Sequence, residues 1–309
     1  MHDNLFESEE SIRARRGSGE QPPCALCGGR SFTHLFHKQG YDFERCADCS
    51  LVRLDPLPTP ELLAEIYERS YREGLYAMFA KADDVRSATA RARVAAIAPH
   101  VPAGPWLDVG CSTGALLQAA VDRGIAAEGI ELSAVAVEAA RSRGLRATQI
   151  AADDFVPERR YACITAFDLV EHLIDPNPFL ARVRDWLAPG GRLAITVPDI
   201  RSAQARVMGR HWYYYAPPVH VNYFDRDTIV RLLARHGLTT VQIGGAPKVM
   251  TIDYVLQSLA AFNPLLHRGA SVLGSLTPAA LRRRPLRIPV GELLVLAHAG
   301  SARPHDPRS

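Results

Sequence analysis

No run of eighteen apolar residues occurs anywhere in the 309-residue chain, so no segment reads as a membrane-spanning helix. No secretory leader is expected either. The N-terminus is polar and acidic, with no apolar core segment, and a cytoplasmic location is expected. There is no internal repeat. The charge imbalance is small, +3 from 36 Lys and Arg against 33 Asp and Glu, which gives weak grounds for a polyanionic partner. What remains is an ordinary globular composition, 47% hydrophobic, long enough for one full α/β domain and an accessory unit. Residues 1–20 and 300–309 are expected to form disordered tails.

Cysteine is scarce and unevenly placed. Four of the six fall in Cys24-x2-Cys27 and Cys46-x2-Cys49, with eighteen residues between the pairs. Two tight knuckles at this spacing can set four thiolates tetrahedrally around one Zn2+. With every ligand a protein atom, such a site is closed and structural. Two disulfides are the competing reading, disfavoured in a chain without a leader. His34 and His37 lie between the pairs, but the ligand count needs neither. Isolated Cys111 and Cys163 read as buried packing residues. A zinc ribbon is therefore expected over 21–56, followed by a stiff proline-rich connector.

Residues 106–114 carry the most chemistry. A short apolar run ends in Asp108, and Gly110-Cys-Ser-Thr-Gly114 then opens a helix at 115–122. Gly110 lets the backbone turn sharply, Gly114 is expected to let a ligand approach, and the helix N-terminus offers free N–H groups. Three functions share this text: a dinucleotide turn, in which Ser112 and Ala115 occupy glycine positions; a G-x-S-x-G nucleophile elbow built on Ser112; and an S-adenosylmethionine (SAM) turn. An ordinary strand-to-helix turn is the fourth reading.

The downstream order favours the SAM turn. A second strand over 126–131 ends in Glu131, whose carboxylate can accept from both ribose hydroxyls. Ser133 caps a helix that stops at Gly144. A third strand over 146–150 leads to Asp153 and Asp154, where an acid can meet an adenine amino group and Phe155 can pack on the ring. Strands over 161–167 and 192–197 flank a helix begun by Asp175-Pro176. Alternating apolar strands and capped helices mean a parallel α/β sheet.

Residues 106–245 resemble class I SAM-dependent methyltransferases, particularly the branch that includes the ubiquinone-biosynthesis O-methyltransferase. The matching text is LDVGCSTG, GIELS, DLVEHLIDP, LAPGGRLAITVP and HVNYF. Ser112 replaces the usual glycine, and Ala162 stands where the family often has Asp. The resemblance implies a Rossmann-like seven-stranded sheet over 101–299 and SAM contacts from Asp108, Gly110, Ser112, Gly114, Glu131, Leu132, Asp153, Phe155 and Asp168.

Around this domain, residues 57–100 read as a helical lead-in, in which Tyr71 or Tyr76 lines the pocket or packs on the sheet. Residues 199–222 read as a long aromatic loop of the kind that serves as a lid, and 251–287 as a helical insertion. The insertion serves as a substrate lid, a lipid-headgroup surface, or a helical layer with a solvated basic end. His220 is the expected general base, since it resembles the histidine of an E-H-x-x-[YF]-F stretch with Val219 in place of the acid. His172 is its rival.

The expected activity is methyl transfer to a hydroxyl of a saccharide, quinone-like or secondary-metabolite acceptor. Sugar C-methylation, ribosomal RNA methylation with the ribbon as a grip, and serine hydrolysis are the alternatives. Basic and acidic residues cancel across the ribbon, so nucleic acid ranks low. The acceptor and the oligomeric state are not legible in the sequence.

Overall fold

The computed structural model describes residues 8–17, 21–72, 83–256, 277–282 and 284–300. Tyr76, residues 257–276 of the insertion and residues 301–309 lie outside the described residues. Strands β1 (Phe32–Lys38), β2 (Tyr41–Cys46) and β3 (Val52–Asp55) form an antiparallel meander. Residues 9–17, expected within a disordered tail, form the helix Glu9–Gly17. Its Ile12 is buried in one cluster with Tyr41, Phe43, Val52 and Leu54. One apolar side chain among arginines leaves no periodicity for a sequence reading to find.

The second sheet is built by strict alternation. Strands β4 (Trp106–Val109), β5 (Ala127–Glu131), β6 (Ala147–Gln149), β7 (Tyr161–Phe167) and β8 (Leu187–Pro198) run parallel. Strand β13 (Glu292–Ala299) inserts antiparallel between β8 and β10 (Leu238–Gly245). The order is β10-β13-β8-β7-β4-β5-β6, the seven-stranded α/β sheet expected from the sequence. Leu107, Ile164, Ile195 and Val295 pack with Phe179, Leu180, Ile229 and Leu232 from helices Asn177–Trp186 and Arg226–Arg235. Their neighbours Trp106, Cys163, Ala194 and Leu296 pack with Val94, Ile97 and Ala120 from helices Asp83–Ile97 and Ala115–Val121. Residues one apart therefore serve opposite faces, as a period of two requires, and the sheet lies between two helical layers.

Local signals fix the helix boundaries. Asp225 caps Arg226–Arg235 by accepting from Thr228 N, while Thr228 Oγ1 accepts from Asp225 N, both at 2.8 Å. Ser133 caps the helix Ala134–Arg141, accepting from Ala136 N at 3.4 Å.

The two sheets are not separate units. The segment 199–222, expected as a lid-like loop, holds the helix Ala203–Met208 and the wholly buried Trp212. It ends in β9 (Asn222–Tyr223), which pairs antiparallel with β3, so the N-terminal meander becomes a four-stranded sheet. The described ends of the insertion are helical at 252–256 and 279–282, but Leu286–Arg287 is a short strand, β12, paired with β11 (Val249–Met250). Among the described residues no helix is long and apolar enough to cross a membrane.

Candidate active site and cysteine cluster

The chain runs outward from β4 through β5 to β6, then returns to lay β7 on the other side of β4. This reversal opens a crevice beyond the carboxyl ends of β4 and β7, where open α/β sheets bind ligands. The turn after β4 and the segment 168–172 after β7 both lie there.

Ser112 sits in the left-handed region at φ 49°, which explains why the related turns carry glycine there. For an L-residue this costs roughly 1–2 kcal/mol. Two contacts offset it: Ser112 N donates to Glu131 Oε2 at 3.0 Å, and the Arg86 guanidinium donates to Ser112 Oγ at 3.0 Å. Gly114, expected to clear space for a ligand, has another role. A Cβ there would meet Leu145 Cδ1 at 2.5 Å and Ala140 Cβ at 3.2 Å, so its glycine allows the turn to pack on the helix Ala134–Arg141.

Glu131 organises the turn. Its Oε1 accepts from Leu132 N at 2.8 Å and Ser133 N at 3.0 Å, in addition to the Ser112 bond on Oε2. Three of a carboxylate's roughly four acceptor positions are thus occupied. A ligand diol that needs two of them must displace one backbone bond. Leu132 beside it is 58% exposed, an apolar side chain held out at the rim. Asp153 is exposed, 3.7 Å from Arg182, and Phe155 is half-buried with its ring edge-to-face on Trp186 at 5.4 Å.

Asp108 is only 5% exposed and accepts from Thr165 Oγ1 at 2.6 Å. Burial raises its carboxyl from the ordinary 3.8 to about 7, with the Glu131 charge adding to the rise. The sign of the consequence follows from linkage. Between these two values the folded chain holds a proton that the unfolded chain has lost, so stability falls as pH rises through this interval. The difference corresponds to roughly 4 kcal/mol. Ligand-free Asp108→Asn should therefore melt at a higher temperature than the parent at pH 8 and lose the gain near pH 4. Equal pH dependence of the two melting curves would refute this assignment.

Beyond β7 lies a charged network spread widely through the sequence. The Arg93 guanidinium donates to Asp168 Oδ2 at 3.0 Å and to Glu292 Oε2 at 2.9 Å. Lys248 Nζ donates to Glu292 Oε1 at 2.6 Å, the Tyr214 hydroxyl bonds the same oxygen, and Thr196 Oγ1 donates to Asp168. Arg93 beside it holds the Asp168 carboxyl well below the usual range despite burial. The Asp168 carboxylate expected to meet the cofactor is thus already engaged by Arg93. Sequence reading missed Arg93, Lys248 and Glu292. Arg93 and Glu292 lie 199 residues apart, a separation no local sequence pattern bridges.

The two rival histidines prove to be neighbours. His172 and His220 meet edge to face, with centroids 4.7 Å apart. His172 Nδ1 lies 2.8 Å from Val219 O, and His220 Nδ1 lies 2.9 Å from Tyr214 O. A carbonyl only accepts, so each Nδ1 carries the hydrogen and each neutral ring keeps its lone pair on Nε2. Burial lowers both imidazoles, and for His220 the neighbouring His172 lowers it further, which keeps them neutral. Glu171 completes the group. It is 1% exposed, and burial and the Asp168 charge push its carboxyl well up. Where the related stretch has an acid, the Val219 main-chain carbonyl orients His172.

The four cysteines converge as the spacing predicts, with their sulfurs all within 4.8 Å of one another. Cys24 and Cys49 are 3.4 Å apart and Cys27 and Cys46 3.5 Å, too far for a disulfide near 2.05 Å. A tetrahedral zinc thiolate with bonds of about 2.3 Å spaces its sulfurs at roughly 3.8 Å, which these positions nearly match. The positive φ of Gly28, 77°, and of Ser50, 69°, shapes the two knuckles. His34 and His37 stand apart from the cluster, on β1 beside Asp42. Cys111 and Cys163 are buried, as expected.

The chain belongs to the methyltransferase-domain family, whose model matches residues 78–243. It is 34% identical over 127 residues to a trans-aconitate 2-methyltransferase of Sinorhizobium fredii, covering 40% of this chain and 49% of that protein. It is 33% identical over 94 residues to a ubiquinone biosynthesis O-methyltransferase of Leptothrix cholodnii, covering 28% and 40%. The chain thus spans about half or less of the length of these curated relatives. Its fold is similar to that of a Burkholderia thailandensis 1,6-didemethyltoxoflavin-N1-methyltransferase solved with S-adenosylhomocysteine, at 15% identity and a TM-score of 0.50. That likeness covers 87% of this chain and 99% of the other. Family and sheet order together set aside the serine-hydrolase reading of Ser112. The group beside its hydroxyl is the Arg86 guanidinium, which donates to Ser112 Oγ and does not accept from it.

Proposed function

We propose that this protein transfers the methyl group of SAM to a hydroxyl of a small-molecule acceptor, of saccharide, quinone-like or secondary-metabolite type. The observation that carries the reading is the Gly110–Gly114 turn held by Glu131 at the switch point, in a chain of the methyltransferase family. The methyl on a positive sulfur is already electrophilic. The protein's task is to align the acceptor oxygen and exclude water, and positioning of this kind can supply roughly 7–11 kcal/mol. Glu131 takes the ribose, exposed Leu132 offers an apolar surface for the base, and Glu171, His172 and His220 face the acceptor as one unit.

We also propose one structural zinc on Cys24, Cys27, Cys46 and Cys49. Burial raises the Cys24 and Cys49 thiols, so four uncoordinated thiolates are disfavoured there, and a divalent cation reverses that balance. Ribosomal RNA methylation gains no support from the ribbon: Lys38 donates to Tyr215 O at 2.6 Å and Arg53 to Pro22 O at 2.6 Å, so both cations are spent inside the fold.

Calorimetry with SAM tests the cofactor assignment. Glu131→Ala should weaken binding by about 1–3 kcal/mol. Glu131→Gln, which keeps an acceptor oxygen, should lose less. Absence of SAM binding by the parent, or preference for NAD, would overturn the reading.

A further inference from the structure

We propose that a cavity beside the charged network binds a phosphate or diphosphate group carried by the acceptor, held by Arg226 and Arg287. The proposal names the acceptor class for the methyl-transfer reading and rests on that reading. The cavity, of about 360 Å³, opens where β8 and β10 end and β13 begins, and Asp199, Arg226, Lys248, Arg287 and Glu292 are among the residues that line it. Its volume equals roughly a dozen water molecules, enough for a diphosphate. Strands β8 and β10 run in the same direction as β4, so the cavity lies at the same edge of the sheet as the Gly110–Gly114 turn.

Charge does not cancel around this cavity. In its wall, Arg93 and Lys248 face Asp168 and Glu292, two cations against two carboxylates. That balance leaves Arg226 and Arg287 with Asp199 alone. Nearby arginines are neutralised: Arg201 pairs with Asp225 and Asp227, and Arg282 with Asp253. Among the described residues, Arg226 makes one side-chain hydrogen bond, to Ile243 O at 3.4 Å, Arg287 makes none, and neither forms an ion pair. The sequence is biased the same way, with five arginines and no acid between Asp253 and Glu292. Guanidiniums bind phosphate through paired N–H donors, and two with unused donors on one cavity suit it. A carboxylate offers two oxygens, whereas a phosphate offers three, enough to engage both arginines at once.

The cavity shares a wall with the histidines. Tyr214 stacks on His220 with centroids 5.9 Å apart, and its hydroxyl bonds Glu292, which lines the cavity. An acceptor whose hydroxyl lies at His220 can therefore extend past Tyr214 and set its phosphate against Arg226 and Arg287. The phosphate takes no part in bond making and fixes the acceptor in place. The class this defines is a small hydroxylated molecule, such as a sugar, phosphorylated away from the hydroxyl that is methylated.

Calorimetric titration of the full chain with inorganic pyrophosphate, at fixed ionic strength, reads this site directly. The parent should bind one pyrophosphate per chain. Arg226→Gln and Arg287→Gln, at exposed positions, should each weaken binding about 10-fold, the loss of one charged hydrogen-bond partner, with circular dichroism confirming the fold. Arg123 and Arg146 are also exposed but precede β5 and β6, at the opposite edge of the sheet, so Arg123→Gln with Arg146→Gln should leave binding unchanged. Citrate in place of pyrophosphate separates a phosphate site from a carboxylate site and should bind more weakly. No saturable pyrophosphate binding, unchanged affinity in both cavity variants, an equal loss in the control pair, or tighter binding of citrate overturns the proposal. SAM calorimetry on the same samples keeps the two claims apart. A parent that binds SAM and not pyrophosphate refutes the phosphate site alone, and one that binds pyrophosphate and not SAM refutes the methyl-transfer reading.

Discussion

Stripping the proposed zinc from the four-cysteine cluster should unfold the N-terminal sheet and loosen the His172–His220 side of the main domain with it. Apparent binding energies of structural zinc reach about 10–16 kcal/mol, as large as the whole stability of a typical domain at about 5–15 kcal/mol. In this chain the knuckles do not stand alone. Cys24, Leu26, Cys46, Cys49 and Leu51 share one buried cluster with Phe179, Ile229, Leu232 and Leu233 of the main domain. Arg231 and Arg235 donate to the knuckle carbonyls of Cys49 and Leu26, and Asn177 Nδ2 donates to Ala25 O at 2.9 Å. Losing the knuckles strands these donors and opens that core. The path continues to the site, because β3 pairs with β9 and Leu54 N donates to Val221 O, one residue from His220. Among the described residues, the hydrogen bonds that hold the Ser112–Glu131 turn involve no residue of the ribbon. Chelation should therefore lower the melting temperature sharply and raise hydrogen exchange first over 21–56 and 212–224. SAM affinity should fall less than turnover. Metal analysis, melting curves and exchange on one preparation would check this. Zinc absent from purified protein, or removed without change in exchange, would refute it.

The main sheet was legible because its signals are local. Strands β4 and β7 are short, largely apolar runs, and Ser133, Gly144 and Asp225 mark helix ends within a few residues of where they fall. The glycine turn and the cysteine pairs were legible for the same reason: their spacing is their geometry. What stayed hidden joins distant segments. Strand β9 is two residues long and exists only because β3 lies beside it. Arg93, Lys248 and Glu292 meet across the whole domain. Gly114 was read as clearance for a ligand, yet its neighbours are Ala140 and Leu145, which no local pattern could bring to it. His172 and His220 looked like competitors for one role because 47 intervening residues concealed their contact.

That contact changes what their mutation should do. His220→Asn should lower kcat by ~10²-fold or more while leaving SAM affinity nearly intact, the range expected when an acceptor hydroxyl loses its means of deprotonation. Asparagine is chosen because its amide can still donate to Tyr214 O, as His220 Nδ1 does at 2.9 Å, so the loop's packing is kept and only the Nε2 lone pair is lost. The Ser112 and Glu131 contacts proposed to serve the cofactor involve neither histidine, which is why binding and turnover should separate. His172→Asn should cost a similar factor, since its Nδ1 is anchored to Val219 O in the same way. The double variant decides between pair and rivals. Groups that act as one unit lose most of their effect with the first deletion, so His172→Asn with His220→Asn should be little worse than the poorer single variant. Multiplying losses would mean two independent roles. An unchanged kcat in folded His220→Asn, measured at saturating acceptor, would remove the cluster from the chemistry and leave alignment by the crevice as the source of rate.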